Sequence, residues 1–346
     1  MNLKDFDYRL PKNLIAQKPI RPRDYSKLMI VDTKNKKVSH HKFFEIEKFL
    51  NPGDVLVIND SKVIPARIFA KKETGGKVEI LLLEQINKNR WRALLKNFKA
   101  KEASKKLSIN KNLEAIAEKN IEKNIWQIKF NQSGKKLKNL IYRLGKTPTP
   151  PYIKRESNLL EYQTIYAKYE GSIAAPTAGF HFTKGLIQKL KKLGISFETV
   201  TLHVGLGTFE PIRTENIRKH KIYPEIAKLS PKTAKILNQA KKERRKIIAV
   251  GTTTTRLLES FSDKFGILQP GKKEVDLYIY PGYKFKIVDG LITNFHLPKS
   301  SLIVLVAAFL QFKEGRNGTK EIIKLYDKAI KLKYRFYSFG DAMLII

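Results

Sequence analysis

Between residues 66 and 130 apolar and polar positions alternate in six short runs, at 66–71, 78–84, 91–95, 107–110, 113–117 and 125–130, separated by Gly75-Gly76 or by Asn, Lys and Ser. Alternating runs bounded by turn formers predict strands, and several at this spacing predict a small barrel or sandwich. Beyond residue 147 the period changes. Leu186, Ile187, Leu190 and Leu193 recur at helical spacing behind Thr183, which is suited to cap the N-terminus, and Gly194 marks the stop. Residues 195–204 then read as a buried strand, Ser230-Pro231 opens a helix through about residue 242, residues 247–250 form an apolar strand, and residues 255–261 are helical again. That rhythm predicts a mostly parallel α/β sheet. Two further runs, 276–280 and 284–288, flank Pro281-Gly282 and predict a hairpin or tight crossover. The apolar run 301–312 falls short of the ~20 residues that span a bilayer and reads as a buried helix.

Composition adds a division of the chain. It shifts near residues 65 and 147, so residues 66–146 read as a module inserted into an α/β domain built from 1–65 and 147–346. The exit, Lys146-Thr147-Pro148-Thr149-Pro150-Pro151-Tyr152-Ile153, is proline-rich and predicts an extended hinge. With 346 residues, 42% of them apolar, the chain can bury about three quarters of its unfolded surface, which excludes a disordered protein. The absence of cysteine excludes disulfides, thiolate zinc sites, iron–sulfur clusters and a cysteine nucleophile, and fits a reducing cytosol. The opening Met1-Asn2-Leu3-Lys4-Asp5-Phe6-Asp7-Tyr8 mixes charges and lacks the apolar core of a signal peptide. A cytoplasmic protein without a membrane anchor is expected.

Charge points to a partner. Lys and Arg number 68 against 32 Asp and Glu, a net +36, and residues 99–146 hold 13 basic against 4 acidic side chains. A polyanion, above all nucleic acid, suits such a surface, because neutralising phosphates releases counterions. Runs such as Lys241-Lys242-Glu243-Arg244-Arg245-Lys246 also read as solvated faces.

Four loops carry candidate chemistry, each after an expected strand, where open α/β sheets bind ligands. In Ala174-Ala175-Pro176-Thr177-Ala178-Gly179-Phe180-His181-Phe182 the small residues admit a ligand to the backbone, Thr177 offers a hydroxyl, and His181 is a general acid or base or a packed core histidine. His203-Val204-Gly205-Leu206-Gly207-Thr208-Phe209 exposes backbone N–H groups to an anionic or ribosyl ligand, or is a turn. It lacks the third glycine of a dinucleotide fingerprint. Gly251-Thr252-Thr253-Thr254-Thr255-Arg256 is a hydroxyl-rich helix N-terminus with an arginine, suited to a carboxylate or phosphate. Asn294-Phe295-His296-Leu297-Pro298-Lys299-Ser300-Ser301 leaves Asn294, His296 and Lys299 as polar candidates once a serine caps the following helix. Asp341, between Gly340 and an expected C-terminal strand, can orient a histidine or end the preceding helix. No metal site is expected, since His40-His41 are adjacent and the other histidines scattered; nor is an ATPase, for want of a phosphate-binding Gly-Lys-Ser/Thr loop.

These strings, with Leu3-Lys4-Asp5-Phe6-Asp7-Tyr8-Arg9-Leu10-Pro11, Asn59-Asp60-Ser61-Lys62-Val63-Ile64-Pro65-Ala66-Arg67 and the ending 337–344, resemble the S-adenosylmethionine:tRNA ribosyltransferase-isomerase family of the queuosine pathway. The resemblance covers nearly the whole chain and is weakest over 99–138. Phe180, Leu206 and Thr254-Thr255 stand where that family more often has Leu, Ala and Ser-Val, swaps that bear on pocket shape. It implies a cytoplasmic enzyme with an α/β domain from both chain ends and an inserted β-barrel. Such an enzyme moves the ribosyl part of S-adenosylmethionine, a consumed cosubstrate, onto the 7-aminomethyl-7-deazaguanine at a tRNA wobble position, releasing adenine and methionine. The implied proton-transfer groups are His181 and His203, completed by His296 or Asp341. The implied S-adenosylmethionine contacts are Thr177, Gly179, Gly205, Gly207, Thr208, Gly251, Thr252, Thr253 and Asn294, with Arg256 on the methionyl carboxylate and Phe209 under the sulfonium. Lys62, Arg67, Lys299 and the basic barrel are the implied tRNA contacts. No metal, tightly bound cofactor or obligate protein partner is expected, and a monomer is the default. The alternatives are an S-adenosylmethionine-dependent RNA methyltransferase, which lacks its glycine-rich loop here, and a non-catalytic RNA-binding protein, which leaves the four loops unexplained.

Overall fold

A computed structural model describes every residue except 100, 101, 103, 123, 206 and 208–210. The first part of the chain forms strands β1 (Lys27–Asp32), β2 (Lys37–Lys42), β3 (Val55–Asn59) and the short β4 (Ser61–Val63). Then come β5 (Arg67–Lys72), β6 (Lys77–Gln85), β7 (Arg90–Lys96), β8 (Lys106–Asn110), β9 (Leu113–Glu122) and β10 (Ile125–Phe130), followed by helix α1 (Gly134–Leu144). The remainder comprises β11 (Tyr169–Ser172), α2 (Lys184–Lys192), β12 (Ser196–Leu202), β13 (Glu225–Leu229), α3 (Pro231–Lys242), β14 (Ile247–Val250), α4 (Thr252–Phe261) and β15 (Gly271–Val275). It ends with β16 (Gly290–Asn294), α5 (Ser301–Glu314), α6 (Gly318–Lys331) and β17 (Ala342–Ile345).

Nine strands make one sheet in the order β15-β13-β12-β3-β14-β16-β17-β1-β2. Side chains alternate between its faces. Val55, Val57, Ala249, Leu291, Met343 and Met29 join the core under α3 to α6, while Leu56, Ile58, Ile248, Ile292, Leu344 and Leu28 join the core under α2. Burial on both faces is why these strands read as continuous apolar runs. The sheet is mixed and not mostly parallel: β12, β3, β14 and β16 run parallel, as do β17 and β1, but β13, β15, β17 beside β16, and β2 are antiparallel to their neighbours. One crossover helix returns a chain parallel to its start, whereas the packed pair α5 and α6 returns β17 antiparallel to β16. Residues 276–288, expected to form a hairpin or tight crossover, form no hairpin, because another group takes the hydrogen bonds it would need. The Glu259 carboxylate accepts from the backbone N–H of Lys286, Ile287 and Val288 at 3.0–3.2 Å, in the place a partner strand would occupy.

All six runs read between residues 66 and 130 become the strands of one closed antiparallel barrel, β10-β7-β6-β5-β8-β9. Its inward positions, among them Ile68, Val78, Ile80, Leu82, Leu95, Leu107 and Ile128, form a core of their own, which Leu137, Leu140 and Ile141 of α1 close. The proline-rich exit, expected to be extended, instead turns twice, with the Thr149 N–H donating to the Thr147 carbonyl and the Ile153 N–H to the Pro150 carbonyl; at its start Lys146 exchanges backbone hydrogen bonds with Arg67, whose guanidinium also donates to the Thr149 carbonyl. Thr183 caps α2, Ser230 caps α3 and Ser300 caps α5 through their hydroxyls.

Candidate active site

The C-terminal ends of the parallel strands β12, β3, β14 and β16 lie along one edge of the sheet, and a 3-10 turn at Thr177–His181 packs beside them. The loops after β12, β14 and β16 are three of the four selected in the sequence, and this turn is the fourth. Two cavities open here. A cleft of 780 Å³ separates the barrel and α1 from the sheet edge, with Trp91, Ile125 and Tyr142 on one side and Gly171, His203, Gly205 and Glu225 on the other. A small cavity of 50 Å³ lies deeper, lined by Thr177, Gly251, Thr252, Thr253, Asn294 and His296. Val204 lines both.

His203 is the histidine that reaches the large cleft. Its Nδ1 is 2.8 Å from the Ser61 hydroxyl, and its Nε2 has no partner among the described residues. Burial, with the nearby Lys272 charge, holds its pKa below the ordinary histidine value. The ring sits against Gly171, at φ +141°, where a Cβ would come within 3.0 Å of the imidazole. Asn59 anchors this region by binding both the N–H and the carbonyl of Leu202, at 3.1 and 2.9 Å.

His181 is placed differently. It is 3% exposed, and both ring nitrogens are engaged, Nδ1 with Ser26 Oγ at 2.7 Å and Nε2 with the Asn294 amide at 3.2 Å. Asn294 in turn accepts from the Thr177 hydroxyl at 2.9 Å. Burial, with the charges of Arg335 and Arg23, pushes the His181 pKa down to about 3. His181 thus stays neutral and reaches the small cavity through Asn294 and Thr177. His296 lines that cavity directly. Its Nε2 lies 2.7 Å from the Thr293 hydroxyl, its backbone is held by the hydroxyls of Tyr326 and Tyr8, and burial pushes its pKa down to about 3.

Other expected contacts have protein partners. The Asp341 carboxylate faces no histidine; it accepts from the backbone N–H of Lys27 and Arg335 and from the Arg335 guanidinium, at 2.8–3.1 Å. Arg256 is buried against Glu225 and donates to the carbonyls of Leu277 and Val275, and Glu225 also accepts from the Gly205 N–H at 2.8 Å. The arginine therefore fixes the loop after β12 from behind. The hydroxyls of Thr254 and Thr255 donate back to the carbonyls of Val250 and Gly251, just before α4, which leaves Thr252 and Thr253 facing the cavity. Gly251 begins α4 at φ +96°. At Gly179 the space a side chain would need holds the Tyr166 hydroxyl, so this glycine serves packing. Gly207 lies close to Tyr223 and lines a second small pocket with Thr252, Thr253 and Arg256. Thr208 and Phe209 lie outside the described residues. Of the expected tRNA contacts, Lys62 pairs with Glu170 at 3.6 Å with its side chain 36% exposed. Arg67 pairs with Glu79 at 3.2 Å, and Lys299 with Asp7 at 2.6 Å.

Ser26 and Glu225 escaped the sequence reading, and Ser61 and Tyr8 entered it only inside longer strings, with no role of their own. Each acts on a residue distant in the chain, and no local pattern announces such a pairing. Among the described residues no group of three or more His, Cys, Asp or Glu is arranged to hold a metal ion. None of the described helices is long and apolar enough to cross a membrane.

A model of the queuosine biosynthesis protein family matches residues 3–345. The chain is 47% identical over 350 residues to the S-adenosylmethionine:tRNA ribosyltransferase-isomerase of Carboxydothermus hydrogenoformans, covering 100% of both. It is 49% identical to the protein of that name from Fusobacterium nucleatum, covering 99% of this chain and 96% of that one. The crystal structure of an S-adenosylmethionine tRNA ribosyltransferase from Thermotoga maritima is similar, with a TM-score of 0.54 and 36% identity, over 99% of this chain and 100% of that one.

Proposed function

Because the chain belongs to the queuosine biosynthesis protein family, we propose that it is an S-adenosylmethionine:tRNA ribosyltransferase-isomerase acting at the sheet edge and the cleft. It transfers and isomerises the ribosyl moiety of S-adenosylmethionine onto the 7-aminomethyl-7-deazaguanine at a tRNA wobble position, in the cytoplasm, and releases adenine and methionine. The carrying observation is His203: on the wall of the 780 Å³ cleft, tied at Nδ1 to Ser61, with a pKa lowered by burial.

The chemistry needs such a group. A sulfonium acidifies the C5′ hydrogens beside it, and a neutral imidazole with an open Nε2 can take one near neutral pH. The departing adenine needs a proton in turn, and the imidazolium at His203 is a donor on the same wall. S-adenosylmethionine is a consumed substrate here, held by Thr177, Asn294, Thr252 and Thr253, with its carboxylate at the α4 N-terminus. His181 and His296, kept neutral by burial, shape this part of the site. Two parts share the work: an α/β part of residues 1–65 and 147–346 and an inserted barrel of residues 66–146. The separate barrel core supports that division, and the basic barrel with Lys62 takes the tRNA backbone.

The test is tRNA-dependent release of adenine and methionine by wild type, His203→Ala and His203→Gln. Loss of a general base costs about 10²–10⁴-fold in rate, so both variants should fall by that much with S-adenosylmethionine binding intact. Wild-type turnover in either removes His203 from the chemistry.

A further inference from the structure

We infer that the barrel wall of the cleft, centred on Trp91, is the seat of the acceptor nucleobase, which stacks on its aromatic rings. The inference rests on the ribosyl-transfer reading and adds the ligand of one particular wall. Trp91 lies on β7, opposite Gln85 of β6 and Ile128 of β10. It lines the cleft with a side chain that is only partly buried. Tyr142 and Tyr223 present further aromatic rings in the same cleft, the surface on which an extruded base stacks.

Charge selects what enters. The chain carries +36 overall, yet the cleft is lined by five glutamates against four lysines and arginines among the described residues. A groove for phosphates would keep the excess of positive charge. A nearly balanced one fits a flat ring with a basic substituent, while the phosphates remain on the basic exterior. The volume of 780 Å³ holds a base together with the sugar it receives, and His203 on the opposite wall faces the space between them.

The chain's two tryptophans make the test direct. Trp126 is 3% exposed inside the barrel, so in Trp126→Phe the emission comes from Trp91 alone. That protein is titrated with free 7-aminomethyl-7-deazaguanine, then with tRNA carrying or lacking this base. The expected result is saturable quenching by the free base and by the modified tRNA, and weaker quenching by the unmodified one. Trp91→Ala removes the ring on which the base stacks; its KM for tRNA should rise about tenfold, with KM for S-adenosylmethionine unchanged. Should Trp126→Phe fail to fold, the difference between wild type and Trp91→Ala reports the same quenching. Trp91 emission indifferent to base and tRNA, or an unchanged KM for tRNA in Trp91→Ala, overturns the inference while turnover continues. Quenching by the base in a wild-type enzyme that releases no adenine upholds the seat and overturns the ribosyl-transfer reading instead.

Discussion

His203 and the two residues that set its state carry the residue-scale argument. Its pKa is lowered by burial first and by Lys272 second. A base works unprotonated, so kcat/KM should fall as pH drops through that lowered value, below about 6.5. Replacing Lys272 by Glu reverses the sign of the nearby charge and raises the pKa. The acid limb of kcat/KM should move to higher pH in Lys272→Glu; a limb that stays put means the titrating group is not His203. Gly171→Ala should lose turnover while the circular dichroism spectrum is kept, since a methyl at φ +141° would press on the imidazole from 3.0 Å. His203 was given a role in the sequence only through the resemblance of its loop to the family, since a Gly-x-Gly after an apolar strand reads as well as a turn. Its partner Ser61 was not, being 142 positions away, nor was Ser26, which binds His181 from 155 positions away. Burial, with the charges of Arg335 and Arg23, keeps His181 neutral, and Ser26 and Asn294 engage both of its ring nitrogens.

Elements were legible where their bonding is local or their pattern regular. The six barrel runs, the capped α2 and α3, and the apolar α5 came from period and caps alone. Strand direction did not, since the return through α5 and α6 depends on how two helices pack. The false hairpin over 276–288 shows the same limit: its alternation is real, but Glu259 of α4 captures the N–H groups a second strand would need. The Arg256–Glu225 pair links α4 to β13 and, through the Gly205 N–H, to the loop carrying His203. Removing one partner of a buried pair strands the other charge, so Arg256→Met should cost about 3–5 kcal/mol in urea unfolding. Arg256→Met with Glu225→Gln, which strands no charge, should recover part of that loss. Equal destabilisation in the single and double variants would mean that the arginine acts by packing alone.

At the scale of the whole molecule, two titrations bear on stability and binding. His181 and His296 have folded pKa values near 3, well below their unfolded value of about 6.5. Between those limits the unfolded chain binds more protons than the native one. Stability is therefore full above about pH 6.5 and falls with decreasing pH, by about 1.4 kcal/mol per pH unit for each histidine. Urea midpoints at pH 7 and pH 5 check this, and His296→Gln should show a shallower dependence. A net charge of +36 requires tRNA affinity to fall steeply with salt, in a linear plot of log Kd against log salt concentration. The central claim is that this molecule, with its barrel set against a sheet edge, moves a ribosyl group and not a methyl group. The most direct measurement supplies S-adenosylmethionine labelled separately in the ribose and in the methyl group, together with tRNA bearing the aminomethyl deazaguanine. The account requires ribose label in the tRNA, with free adenine and with the methyl label recovered in methionine. Methyl label in the tRNA, or neither label despite salt-sensitive binding, would contradict it.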